Sequence, residues 1–364
     1  MSLIYRLCFS LLFLGSFSAA QAQKQFNPED SSQVTFTTVL PLVFYTPETS
    51  LGLGAAAIRN FYPGRDSANR PSQLQLGGAY TFRNQLLAYF SYQLFLRSNR
   101  TEIFGELGYY DYLYFYYGIG NATRQESEET YLVRFPRVRL SVLEQIVPKL
   151  RAGLSFKFDN YELYQRAEQG LLDSNEPTGF MGGNVATLGT VLRYDTRDDV
   201  NLSLNGWLVT LNLEQNLRFL GSPYRFRRAL LDVVRYQSLG GDQTVALNFY
   251  TGTMSGEIPF QELLFIGGPK KGRGTIEGRF RDQNLVLWQA AYRFPLFWRL
   301  RGSVFASTGR VAATYGDLWS GQYHFNYGLG LRFLLNEAER VQLRCDIGLG
   351  GDQLGFYFTV NDAF

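Results

Sequence analysis

The chain has 364 residues and a formal net charge of +3, with 35 Lys and Arg mixed along it among 32 Asp and Glu, a pattern that argues against a nucleic-acid partner. Hydrophobic residues make up 45 % and aromatic residues 16 %, which excludes intrinsic disorder. Mean hydropathy is nevertheless −0.15, and beyond residue 20 no apolar run approaches the ~18 to 20 residues of a membrane helix, so a helical membrane protein is excluded.

Residues 1–22 read as a secretory signal peptide. Arg6 precedes the apolar stretch Leu7, Cys8, Phe9, Leu11, Leu12, Phe13 and Leu14, and Ala20-Gln21-Ala22 gives an A-x-A cleavage signal before Gln23. Processing removes Cys8 and leaves Cys345 as the sole thiol, so no internal disulfide is expected. Residues 23–32 are expected to form a short periplasmic segment, and 33–364 a single domain.

From residue 34 onward the pattern has a period of two. Sixteen strands are expected: 34–45, 51–60, 72–82, 86–97, 101–116, 129–143, 149–164, 183–194, 205–218, 224–236, 242–253, 284–296, 300–312, 322–334, 339–350 and 353–363. In 323–334, Phe325, Tyr327, Leu329, Leu331 and Phe333 share one face, while His324, Asn326, Gly328, Gly330 and Arg332 share the other. Val286, Trp288, Ala290, Tyr292 and Phe294 form a similar stripe in 284–296.

One apolar face, an even strand count and strands longer than the ~9 to 11 residues needed to cross a bilayer predict an all-β fold, a sixteen-stranded antiparallel transmembrane β-barrel. The expected connections are long at one end (117–128, 165–182, 254–283, 313–321). They are short at the other (98–100, 297–299, 335–338), although 61–71 and 195–204 exceed the rule. In lipid an unpaired backbone group costs several kcal/mol, so a spanning sheet must close. The last strand places Phe356, Phe358 and Val360 on one face and ends in Phe364, resembling the C-terminal insertion signal of bacterial outer-membrane barrels. A soluble sixteen-stranded propeller would not need that signal.

Residues 265–312 carry three features that resemble the BamA/TamA outer-membrane superfamily, the bacterial surface antigen family. Gly267-Gly268 with Arg273-Gly274 stands where that family has G-G-x(n)-[VLM]-R-G-[FY] on its sixth extracellular loop. Tyr292-Arg293-Phe294-Pro295-Leu296 is similar to its E-x-R-F-P-L, and Gly302 to Gly309 is similar to its G-x-V-F-x-D-x-G. Upstream, Tyr194-Asp195-Thr196-Arg197-Asp198 and Gly206 resemble its D-T-R-D segment.

The resemblance implies an outer-membrane barrel that assists insertion or translocation of proteins through a lateral seam between its first and last strands. It also implies a loop lock in which Arg273 and Gly274 enter the lumen near Phe305. Here the chain departs from the family. Ser307 replaces the aspartate that the family's arginine engages and Thr275 replaces the aromatic residue, and with only Gln23 to Ser32 before the first strand no periplasmic POTRA domain is expected. Ser307 is expected to accept a hydrogen bond from Arg273, and Glu277 is a candidate replacement carboxylate. Gly348, Gly350, Gly351 and Gly355 would weaken packing at the seam or fit a curved wall.

Expected partners are outer-membrane lipids and lipopolysaccharide, whose phosphates Lys270 and Lys271 could meet, a separate periplasmic or membrane protein, and a second copy of the chain. No cofactor is expected. With one His and one mature Cys a metal site is not expected, and 267–275 lacks the G-K-[ST] ending of a phosphate loop. His324 is the single residue a barrel phospholipase could use, without a spacing signature to support it. Asp195 and Asp198 read as turn formers. No catalytic constellation remains, so the protein is not expected to be an enzyme, and a channel or a structural subunit of a larger complex stands as the alternative to assembly.

Overall fold

The computed structural model describes residues 36–46, 49–63, 72–336, 340–351, 353–360 and 362–364; the signal peptide and the 23–32 segment lie outside them. The strands are β1 (Phe36–Thr46), β2 (Ser50–Phe61), β3 (Ser72–Thr81), β4 (Leu86–Leu96), β5 (Thr101–Tyr116), β6 (Glu129–Val147) and β7 (Leu150–Arg166). They continue with β8 (Gly183–Asp195), β9 (Gly206–Asn216), β10 (Arg225–Gly240), β11 (Gln243–Glu257), β12 (Leu264–Ile266) and β13 (Phe280–Asp282). Last come β14 (Asn284–Phe297), β15 (Leu300–Ala312), β16 (His324–Asn336), β17 (Val341–Gly350) and β18 (Gln353–Val360).

Sixteen of these form one antiparallel sheet in which each strand pairs with its neighbours in sequence. The exceptions, β12 and β13, make a small hairpin of their own inside the long 258–283 connection. The sequence pattern placed the sheet strands within a few residues of these limits. β18 is the instructive difference, ending at Val360 rather than 363. Asp362 leaves the ladder to meet Arg293 at 3.1 Å and Arg332 at 3.2 Å.

The two faces of the sheet have inverted polarity relative to a protein folded in water. On β16, Leu329 is 65 % exposed while Asn326 and Arg332 are 1 % and 2 % exposed. The same alternation runs through β15 and β17, with Val304 and Ile347 outside and Ser303, Arg344 and Asp346 buried inside. A belt of exposed large apolar side chains over so many strands is far more than the outside of a water-soluble monomer carries. Glycine and small residues let the inner face curve. A Cβ on Gly153 would fall 1.9 Å from the Val142 carbonyl oxygen.

At the end carrying the long connections, the inner space is packed. Phe260, Leu264, Ile266 and Phe280 of the 258–283 connection join Tyr116, Tyr131 and Phe135 of β5 and β6 and Leu285 and Leu287 of β14 in one buried cluster. The connection therefore bridges strands far apart in the sheet across its inner face. The first and last strands also come side by side, with the Tyr45 ring 6.1 Å from that of Phe356. No β1–β18 ladder is present among the described residues.

Replacing the belt residue Leu329 by Arg is expected to cost about 2 to 4 kcal/mol of folded stability in liposomes. Urea titration followed by heat-modifiable gel migration checks this; equal midpoints for variant and wild type would refute a lipid-facing belt.

Candidate functional site

The 267–279 segment folds back over the inner face instead of projecting from the sheet's end. Its shape comes from backbone bonds: Gly267 N–H donates to the Lys271 carbonyl at 2.7 Å, and Gly268 N–H to the Thr275 carbonyl at 3.0 Å. The inner faces of β14, β16 and β18 then hold it. Gly272 N–H donates to Gln289 Oε1 at 3.2 Å, Gly274 N–H to the Tyr357 hydroxyl at 3.1 Å, and Ile276 N–H to Gln353 Oε1 at 3.2 Å. Asn326 takes part on both sides, accepting from Thr275 Oγ1 at 3.0 Å and donating to the Gly272 carbonyl at 3.2 Å. Thr275, where the family motif has an aromatic residue, thus makes a polar contact.

Two glycines are dictated by this close approach. Gly274 has φ +106°, and a Cβ there would lie 2.7 Å from the Leu349 carbonyl carbon. A Cβ on Gly348 would lie 2.7 Å from the Gly274 nitrogen. Gly348 therefore makes room for the loop, and Gly350 makes room for Asn326. That is a concrete reason for glycines that the sequence left between seam and curvature.

Arg273 is 2 % exposed. Its guanidinium lies 3.6 Å from the centre of the Phe305 ring, so Arg273, Gly274 and Phe305 do come together. Its carboxylate partner is neither of the expected residues. Arg273 Nη1 donates to Asp346 on β17 at 2.5 Å. Ser307 shares the inner face of β15 with Phe305, but its hydroxyl is buried without a hydrogen-bond partner among the described residues. Glu277 turns back toward Gly268, where a Cβ would meet its Oε2 at 3.0 Å. The guanidinium stacks on Phe305 and is met by the carboxylate of β17.

Asp346 serves three cations. Arg332 reaches it at 2.7 Å and Arg344 at 3.5 Å. Arg344 also donates to the loop's Pro269 carbonyl at 2.9 Å, and Arg332 continues to Asp362, which Arg293 meets from the other side. The Phe364 carbonyl accepts from Arg293 at 2.9 Å, and its ring packs beside Val234, Tyr236 and Ala246. Phe364 thus turns to the inner face, whereas Phe356 and Phe358 stay on the outer one, opposite the buried Tyr357; the side chain of Val360 lies outside the described residues.

Alternation in 341–350 could have revealed Asp346. It is the lone carboxylate on that strand, and a buried arginine calls for one.

The loop has a second anchor that the motifs did not suggest. Lys271 bonds Asp232 on β10 at 2.8 Å, so it turns inward and does not reach out toward lipopolysaccharide. Glu262, just before β12, accepts from Arg228 at 2.9 Å and from the Tyr161 hydroxyl at 2.8 Å. Burial by itself would raise its carboxyl, but Arg228 and then Arg139 outweigh burial and hold it at about 2, against 4.5 ordinarily.

His324 Nε2 sits 2.9 Å from the Asn121 carbonyl, and its ring stacks on Phe280, which ties together the loops at that end. Asp198 accepts from the backbone of Asp199, Leu204 and Asn205, as a turn former does. Among the described residues no group of three His, Cys, Asp or Glu could hold a metal ion.

The sequence model described as the Omp85 superfamily domain matches residues 13–364. Among solved structures, the chain resembles BamA from Haemophilus ducreyi lacking POTRA domains 1–3 with a TM-score of 0.60 at 14 % identity, covering 90 % of this chain and 70 % of that one. It resembles CdiB from Acinetobacter baumannii with a TM-score of 0.53 at 13 % identity, covering 91 % and 66 %. For CdiB from Escherichia coli the values are 0.60 and 12 %, covering 88 % and 62 %. The chain thus spans about two thirds of these proteins' lengths. At these identities the likeness is one of fold. No curated protein matches the sequence significantly.

Asp346→Asn is expected to cost about 3 kcal/mol, because three buried guanidiniums lose their shared charge, and to expose 267–279 to protease; Ser307→Ala is expected to stay within ~0.5 kcal/mol. Urea midpoints and limited proteolysis check both. Because the Glu262 carboxyl is held low, its contribution is complete above about pH 4.5 and is lost as the pH falls toward about 2. Glu262→Gln is therefore expected to flatten the loss of stability between pH ~5 and ~2.5 seen in the wild type; identical slopes would refute that assignment.

Proposed function

The chain belongs to the Omp85 superfamily, and from that premise we propose that it is a closed sixteen-stranded β-barrel of a bacterial outer membrane that helps insert or translocate proteins through an opening between β1 and β18. The inverted polarity of the two faces supports the membrane reading: apolar residues outside meet lipid, and polar and charged residues inside meet water and the loop. The observation that carries the activity is that the loop braces β18 while no ladder joins β18 to β1 among the described residues. β16, β17 and β18 are braced from inside by Asn326, Asp346, Arg344, Tyr357 and Gln353 through the loop. Next to β18 stands β1, paired on its far side with β2 and without a β18 ladder among the described residues.

A braced strand edge that carries no ladder to its neighbour is a template onto which an incoming strand can pair by backbone hydrogen bonds. The loop lock would then be the device that keeps β16–β18 in shape while the seam opens. Nothing in this reading requires bond chemistry, and the role is non-enzymatic.

In a Cys345→Ser background, cysteine pairs across the seam, Tyr45→Cys with Phe356→Cys among them, are expected to crosslink in cells and to deplete other outer-membrane proteins or a secreted client. Normal growth and a normal membrane profile with the seam fully locked would show that opening is dispensable. That result would transfer the assignment to a channel or a structural subunit.

A further inference from the structure

The outer face is not uniformly convex. Between β9 and β16 it carries a hollow of about 480 Å³. The register explains it. One row across the sheet runs Trp207, Arg235, Leu247, Ala290, Ala306, Tyr327, so its two alanines stand between Trp288 and Tyr292 on β14 and between Thr308 and Val304 on β15. The row above it, with Phe249, Trp288, Thr308 and Phe325, forms one wall of the depression. Trp288 is itself fixed by Trp319 at 6.1 Å and Tyr323 at 5.9 Å, from the connection that folds over the outside of β14.

Arg235 stands at the end of this hollow toward the short turns, five residues before Gly240. Its guanidinium lies 5.2 Å from the Trp207 ring and donates to Gln237 Oε1 at 2.6 Å. Among the described residues it makes no ion pair, unlike Arg273, Arg293, Arg332 and Arg344 on the inner face. An arginine on a lipid-facing wall is costly unless an anion meets it. Trp207 marks the same level as an interfacial one, where indole rings settle.

We propose that this hollow is a glycerophospholipid site of the periplasmic leaflet, with the lipid phosphate on Arg235 beside Gln237 and one acyl chain lying along Leu247, Ala290 and Ala306 toward Phe325. The inference rests on the membrane reading of the sheet's outer face. Charge complementarity selects an anionic head at one end, and the volume and apolar lining of the hollow select a chain at the other. A lipid held there would stay with β10–β15, separated from the seam by β16, β17 and β18.

The test is native mass spectrometry of the full chain in mild detergent, titrated with phosphatidylglycerol. Wild-type protein is expected to retain one phospholipid, Arg235→Gln to hold it roughly fivefold more weakly, and Ala306→Trp, which fills the hollow, to lose it. Arg227→Gln, an exposed arginine near the opposite end of β10, is expected to behave as wild type, and heat-modifiable migration confirms that each variant is folded. Equal retention by all four proteins, or retention of lipopolysaccharide in place of phospholipid, overturns the site. If wild type still sediments with outer membranes, the membrane reading survives that failure; if it does not, both fail together.

Discussion

A guanidinium removed from water inside a sheet must find a counter-charge, and the contact of Arg273 with Asp346 is where that demand shapes the molecule. It joins a connection that leaves β11 to the fifteenth strand of the sixteen-stranded sheet. Phe305 supports the flat face of the guanidinium, Gly274 and Gly348 let the two backbones touch, and Arg332 and Arg344 share the same carboxylate. Take away the charge pair and the polar contacts of Gly272, Thr275 and Ile276 lose the anchor that holds them in register. The apolar cluster around Phe260 and Ile266 secures the other end of the same connection.

The second constraint is the inversion of polarity. In water a sheet hides its apolar face, whereas here the polar face is hidden and the apolar one lies outside. This explains why the interior is crowded with ion pairs. Glu102 with Arg193, Glu214 with Arg228, and Asp362 with Arg332 satisfy charges that would otherwise stand unpaired in a confined space. It also makes Arg235 conspicuous, because that cation sits on the other face, away from every such partner.

Much of the architecture was legible in the alternation itself. Strand limits came out within a few residues because a one-residue slip would turn every side chain to the wrong face. The motif around Arg273 located the loop, and G-x-V-F placed Phe305 beneath it. The same motif misled on the partner: its register pointed to Ser307, while Asp346 lies two strands further along the sheet and outside every motif. Glu277 lies beside Gly268, because Gly267, Gly268 and Gly274, each with positive φ, turn the chain back on itself. The alternation predicts a last strand to residue 363, whereas β18 ends at Val360. Its alternation continues to Phe364, but Asp362 is drawn inward by two arginines from distant strands.

By itself the sequence determined strand content, strand order and which face is apolar, since a period of two and the turn residues between strands are local properties. Tertiary structure alone decided which carboxylate meets the loop arginine, where the terminal aromatic residue goes, and where the outer wall is hollow. Each of those depends on how strands distant in sequence are brought to the same height and the same face, and no local pattern encodes that distance.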